Sequence, residues 1–98
     1  MEFEFEFEGT LIEWRGPAPF FFLPVPAEMS LEIKELAKTL SYGWGVVPVK
    51  ALIADTDFKT SLFPREGLFM VPIKEIVRRA NQLEVGQQVS VKLVLGGR

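Results

Sequence analysis

The chain opens Met1-Glu2-Phe3-Glu4-Phe5-Glu6-Phe7-Glu8-Gly9-Thr10, three phenylalanines and four glutamates in strict alternation. Successive side chains of a strand point to opposite faces, so Phe3, Phe5 and Phe7 share one side and Glu2, Glu4, Glu6 and Glu8 the other. One face is core and the other is wet. Such a ribbon stacks on its own copies unless its edges are paired or blunted by charge. Four like charges on one face also call for cations on a neighbouring strand, and Lys92 and Lys59 are the candidates. The apolar pattern runs on through Leu11-Ile12-Glu13-Trp14, with Gly9 marking a bulge or a bend at a barrel corner.

Outward from this strand, Gly16-Pro17-Ala18-Pro19 turns the chain. Phe20 to Val25 is apolar throughout, as in a central strand covered on both faces, and Pro24 limits pairing at its far end. Pro26 opens a helix, with Ser30 available as a second cap. Met29, Ile33, Leu36 and Leu40 form its apolar stripe among Glu28, Glu32, Lys34, Glu35 and Lys38. Gly43 and Gly45 end it. Val46 to Ile53 reads as a strand, Ala54-Asp55-Thr56-Asp57 as a tight turn, and Phe58 to Phe63 as the next strand. Pro64-Arg65-Glu66-Gly67 turns into a strand at Leu68 to Val71. Pro72 opens a second helix with Ile73, Ile76, Val77 and Ala80 as its stripe. After Leu83-Glu84-Val85-Gly86, the alternation of Val89, Val91, Leu93 and Leu95 is a last strand.

The two halves are alike. Val25-Pro26-Ala27-Glu28-Met29 is echoed, at one residue's offset, by Val71-Pro72-Ile73-Lys74-Glu75-Ile76, each preceded by two strands and followed by a helix, a turn and a strand. Either half alone exposes the apolar side of its sheet. Two ββαβ units, about 1–54 and 57–95, therefore interlock into one mainly β domain over residues 1–95. The expectation is a closed six-stranded barrel with pseudo-two-fold symmetry and a helix at each end, followed by a flexible tail at 96–98.

Composition bounds the chemistry. Of 98 residues 48% are hydrophobic, nine of them phenylalanine and two tryptophan, enough for a core without covalent staples. With no cysteine and no histidine, disulfides, thiolate or imidazole zinc sites and Ser-His or Cys-His triads are excluded. The net charge of -2 supplies no global field toward nucleic acid or anionic lipid. No apolar run approaches the ~18 residues of a membrane span, and no basic n-region follows Met1, so the expected location is cytoplasmic. No phosphate-cradling glycine loop or catalytic signature is present, and no cofactor is implied.

Four stretches carry a family resemblance: the Phe-rich opening strand, Gly43-Trp44-Gly45-Val46-Val47-Pro48-Val49, Thr60-Ser61-Leu62-Phe63-Pro64, and Val71-Pro72-Ile73-Lys74 with Arg79-Ala80. Together they resemble a small prokaryotic barrel domain of unknown function, found alone or beside a bacteriocin-protection-type module. The resemblance covers almost the whole chain and implies a double-split β-barrel capped by helices. The second half, from Phe69 to Val89, is also similar to the swapped-hairpin element of AbrB- and MazE-type transcription factors, which bind DNA.

Each candidate residue has a plainer role beside a functional one. Thr60 and Ser61 fit a nucleophile pair or an anion contact, and equally the ordinary surface of a strand. Trp44, between two glycines, walls a pocket or plugs the core. Lys74, Arg78 and Arg79 form an anion site or a solvated helix face. Asp55, Asp57 and Glu13 suit a hard cation or acid-base work, but Asp55-Thr56-Asp57 is explained by turn chemistry. The site expected from the resemblance is a mouth where Trp44, Thr60, Ser61, Lys74 and Arg79 meet. The function expected is a non-catalytic module, monomeric or weakly dimeric, that binds a small ligand or a protein. An AbrB-like nucleic-acid-binding regulator ranks second, disfavoured by the acidic first strand. An enzyme ranks third.

Overall fold

The opening alternation does what its period dictates. In β1 (Phe3–Thr10) the three phenylalanines are half-buried against the core and Glu4, Glu6 and Glu8 between and after them are exposed. The structure, a computed structural model, describes residues 2–16, 20–40 and 45–96. After β1 come β2 (Ile12–Trp14), β3 (Phe20–Pro24), α1 (Ala27–Thr39), β4 (Val47–Ile53), β5 (Thr56–Arg65), β6 (Leu68–Pro72), α2 (Glu75–Ala80) and β7 (Gln88–Leu95). No helix among the described residues is long and apolar enough to cross a membrane. Trp44 and the last two residues of the expected tail lie outside the described residues.

All ladders are antiparallel, in the order β1-β7-β4-β5-β6-β3-β2. The result is a seven-stranded sheet curved into an open half-barrel, where the sequence suggests a closed barrel of six strands. Leu11 accounts for the extra strand. It interrupts the first run, and its N–H donates to Gln87 O (2.9 Å) while its carbonyl accepts from Gly86 N (2.8 Å), so its backbone is satisfied by the turn before β7. The two end strands of the sheet are thus neighbours in sequence, joined through one fully buried leucine.

Two buried cross-strand pairs anchor the register between distant parts of the chain. Leu23 pairs with Val71 and Ala51 with Leu93, and all four are fully buried. About the first pair, Val25 N donates to Phe69 O and Ile73 N to Phe21 O, both at 2.8 Å. Pro26 caps α1 and Lys74 caps α2, so Pro24-Val25-Pro26 corresponds to Pro72-Ile73-Lys74. The Val-Pro echo is therefore displaced by two residues, because ladder position and not local composition fixes equivalence. Pro72 ends β6 and does not open the helix. The halves differ in their first strands. Phe7 opposite Val91 matches Thr60 opposite Val49, and Ile12 opposite Phe22 matches Phe63 opposite Met70. Residues 8–11 fill the interval in one half and only Ser61 and Leu62 in the other, so β5 runs unbroken. Within that longer interval a Cβ on Gly9 would meet Pro24 O at 3.2 Å, which is why glycine suits the close approach of β3.

The core joins Leu11, Leu23, Val25, Ile33, Leu62, Val71, Leu93 and their neighbours into one cluster, to which α1 contributes Ile33 and α2 Val77. Buried Ser30 of α1 bridges two strand segments: its Oγ donates to Val25 O and accepts from Phe69 N, both at 3.1 Å. Asn81, just after α2, donates from Nδ2 to Thr56 Oγ1 at 3.1 Å. The helix stripe predicted for α2 is corrected: Ile73 precedes the helix, Ile76 is 75% exposed and Ala80 is exposed, leaving Val77 as its buried anchor. Phe21 and Leu23 face the core, so Phe20 and Phe22 lie on the other side of β3. There Trp14 stacks on Phe20 (5.9 Å), Phe22 meets Phe63 edge-on (5.8 Å), and Arg65 sits 5.3 Å over Phe22. Trp14 and Phe20 remain 41% and 56% exposed, so β3 is not covered on both faces along its whole length.

Candidate functional site

The β4–β5 hairpin sets the site. Its turn holds only Ala54 and Asp55, since Ile53 already pairs with Thr56. Asp57 therefore lies on a strand, not in the turn, and its carboxylate meets Lys50 Nζ at 3.4 Å. This register puts Lys50 directly opposite Lys59, Pro48 opposite Ser61, and Val49 opposite Thr60. Val49 is buried, while Pro48, Lys50, Lys59 and Ser61 are exposed on the outer side of the sheet. Val94 of β7 stands opposite Lys50 on its other flank.

Lys74, at the start of α2, completes a surface cleft of about 760 Å³ lined by Lys50, Lys59, Thr60, Ser61, Lys74 and Glu2, with Pro48, Val49, Val94 and Gly96. Three of the five residues singled out from sequence, Thr60, Ser61 and Lys74, line this one cleft. Arg79 does not line it; its guanidinium is ion-paired with Glu75 at 2.6 Å on the surface of α2. Trp44 lies outside the described residues. Lys50 and Lys59 were not foreseen, because only the two-residue turn brings them together. Lys59 does not serve the glutamates of β1 either: Glu4 meets Lys92 at 3.2 Å. Among the described residues Lys59 and Lys74 make no ion pair.

The remaining candidates separate. Arg78 lies 3.6 Å over the Phe21 ring, a cation–π contact that fastens α2 to β3, and its buried Nε has no hydrogen-bond partner. Glu13 pairs with Arg15 at 3.4 Å. No group of three or more acidic, histidine or cysteine side chains among the described residues is placed to hold a metal ion. Two further hollows are mostly apolar. One of about 350 Å³ lies between α1 and the β5–β6 hairpin, and one of about 520 Å³ is bounded by Trp14, Phe20, Phe22, Phe63, Arg65 and Pro72.

On the outer face of β1, β7, β4 and β5 the charges are sorted. Glutamates line the β1 edge and lysines the β4–β5 side, where Asp57 is the acidic exception, with Lys92 between them. A family model described as "Domain of unknown function (DUF1905)" matches residues 7–93, from the middle of β1 to Leu93 of β7. The chain belongs to the DUF1905 family. The match takes in Lys50, Lys59, Thr60, Ser61 and Lys74 of this DUF1905 domain, and leaves Glu2, Val94 and Gly96 of the cleft outside. No curated protein matches the sequence.

Proposed function

We propose that this DUF1905 domain is a non-catalytic binding module whose small, anionic ligand occupies the cleft of Lys50, Lys59, Thr60, Ser61 and Lys74. The observation that carries the reading is the placing of Lys50 directly across from Lys59, with Lys74 and Ser61 on the same cleft. Like charges directly opposite on neighbouring strands destabilise a sheet; Asp57 answers Lys50, and an anion beside Lys59 relieves what remains of that cost. The cleft volume falls within the ~300–1,000 Å³ usual for small-molecule sites. The Ser61 hydroxyl is not hydrogen-bonded to a base among the described residues, which supports binding over nucleophilic chemistry. A long nucleic-acid backbone crossing this face would also run onto the glutamates of β1, which supports a compact ligand over the AbrB-like reading.

The test is amide chemical-shift mapping of the full chain against a panel of anionic, neutral and cationic metabolites and a short random duplex, all at low salt. The expected result is shifts at Lys50, Lys59, Ser61 and Lys74 with anionic members only, abolished in the Lys50→Ala/Lys59→Ala/Lys74→Ala variant. Shifts centred on Trp14 and Phe20 would reject the site. Duplex binding that decays steeply with salt would move the nucleic-acid reading into first place.

A further inference from the structure

We infer that the group held by this cleft is a phosphoryl group carried on a small molecule that also bears hydroxyls or an amine. The inference rests on the binding reading above and goes further by fixing the chemistry of the ligand. Every cation lining the cleft is a lysine and none is an arginine. The flat fork of arginine grips carboxylate and phosphate alike in a fixed geometry, whereas an ammonium is a point charge with three rotatable donors, able to meet a tetrahedral oxyanion from several sides. Lys50 is already answered by Asp57, whereas Lys59 and Lys74 make no ion pair among the described residues. These two cations draw a strongly charged group such as a phosphate monoester, about -1.5 to -2 at pH 7, to their end of the cleft, away from Glu2. Ser61, exposed on the same face of β5 as Lys59, adds a hydroxyl donor for phosphoryl oxygens.

Glu2 gives the cleft a direction. It is the one carboxylate on the lining, and it repels a second anionic group while accepting hydrogen bonds from a hydroxyl or an amine. A cleft of about 760 Å³ is also far larger than a single phosphate ion, leaving room for the body of the molecule on the Glu2 side.

Chemical-shift titrations of the full chain with inorganic phosphate, glucose 6-phosphate, glucose and citrate test this. Inorganic phosphate and glucose 6-phosphate should both shift the amides of Lys59, Ser61 and Lys74 at millimolar concentration. Glucose 6-phosphate should bind more tightly than phosphate, glucose should be silent, and citrate should be weaker than glucose 6-phosphate despite its greater charge. Lys59→Gln and Lys74→Gln should each weaken glucose 6-phosphate about tenfold. Unshifted amides elsewhere in the spectrum would show that both variants keep the fold. Citrate binding as well as the phosphates, or silent phosphates alongside a different ligand that does shift these amides, overturns the phosphoryl assignment and leaves the binding reading standing. Equal affinity for phosphate and glucose 6-phosphate overturns the carrier molecule. Silence of every probe and of the wider panel overturns both readings.

Discussion

The two hairpin turns β4–β5 and β5–β6 place residues in the left-handed region of backbone space, and the sequence suits them unequally. The β5–β6 turn has Glu66 at φ 53° and Gly67 at φ 83°, the pair of positive angles of a type I′ hairpin. A Cβ at Gly67 would meet no atom within 4 Å, so the cost of replacing it is purely conformational. Gly67→Ala should lower unfolding free energy by about 1–2 kcal/mol in a urea titration. The β4–β5 turn instead asks an alanine, Ala54, to hold φ 52°. Ala54→Gly should stabilise the domain by about 0.5 kcal/mol, the relief of roughly 1 kcal/mol of strain less the backbone entropy glycine loses. Loss of stability in Ala54→Gly would show that this turn is not strained. The same turn fixes the register that brings Lys50 to Lys59, so its geometry belongs to the site as well as to the fold.

At the scale of elements, Ser30 is the polar tie between α1 and the sheet. Ser30→Ala leaves the buried N–H of Phe69 without its acceptor and should cost about 1–3 kcal/mol. Thr39→Ala, which removes only an exposed bond to Glu35 O, should stay within about 0.5 kcal/mol. Equal effects in the two variants would reject the tie. The same contrast governs what can be read from the chain. Period-2 runs such as Phe3-Phe5-Phe7 and Val89-Val91-Leu93-Leu95 declare their faces, because strand geometry leaves a side chain only two directions. The start of β5 is hidden, because Asp55-Thr56-Asp57 has turn chemistry while only Asp55 is in the turn. The stripe of α2 misleads, because the helix begins only at Glu75 and runs six residues, too short for periodicity to decide which side is buried. Thr60, Ser61 and Lys74 come from a motif resemblance, whereas Lys50 and Lys59 depend on a cross-strand register that no single segment encodes. Arg79 looks like a site cation until Glu75, one turn earlier on the same helix, takes up its charge.

For the whole molecule the decisive fact is where the ladders run. Of the six, only β2–β3 and β5–β6 lie within a half; β1–β7, β3–β6, β4–β5 and β4–β7 join the halves. A chain cut between Ala54 and Asp55 should therefore give two pieces that are unfolded apart and regain native circular dichroism as a one-to-one complex. A folded single piece, or a mixture showing no gain over the sum of its parts, would contradict this. The pairing of β1 with β7 has a further consequence for biosynthesis. The phenylalanine-bearing segment leaves the ribosome before the strand that covers its edge, with all the other elements of the domain made between them. Throughout that interval only its row of carboxylates stands between the nascent chain and association with its neighbours.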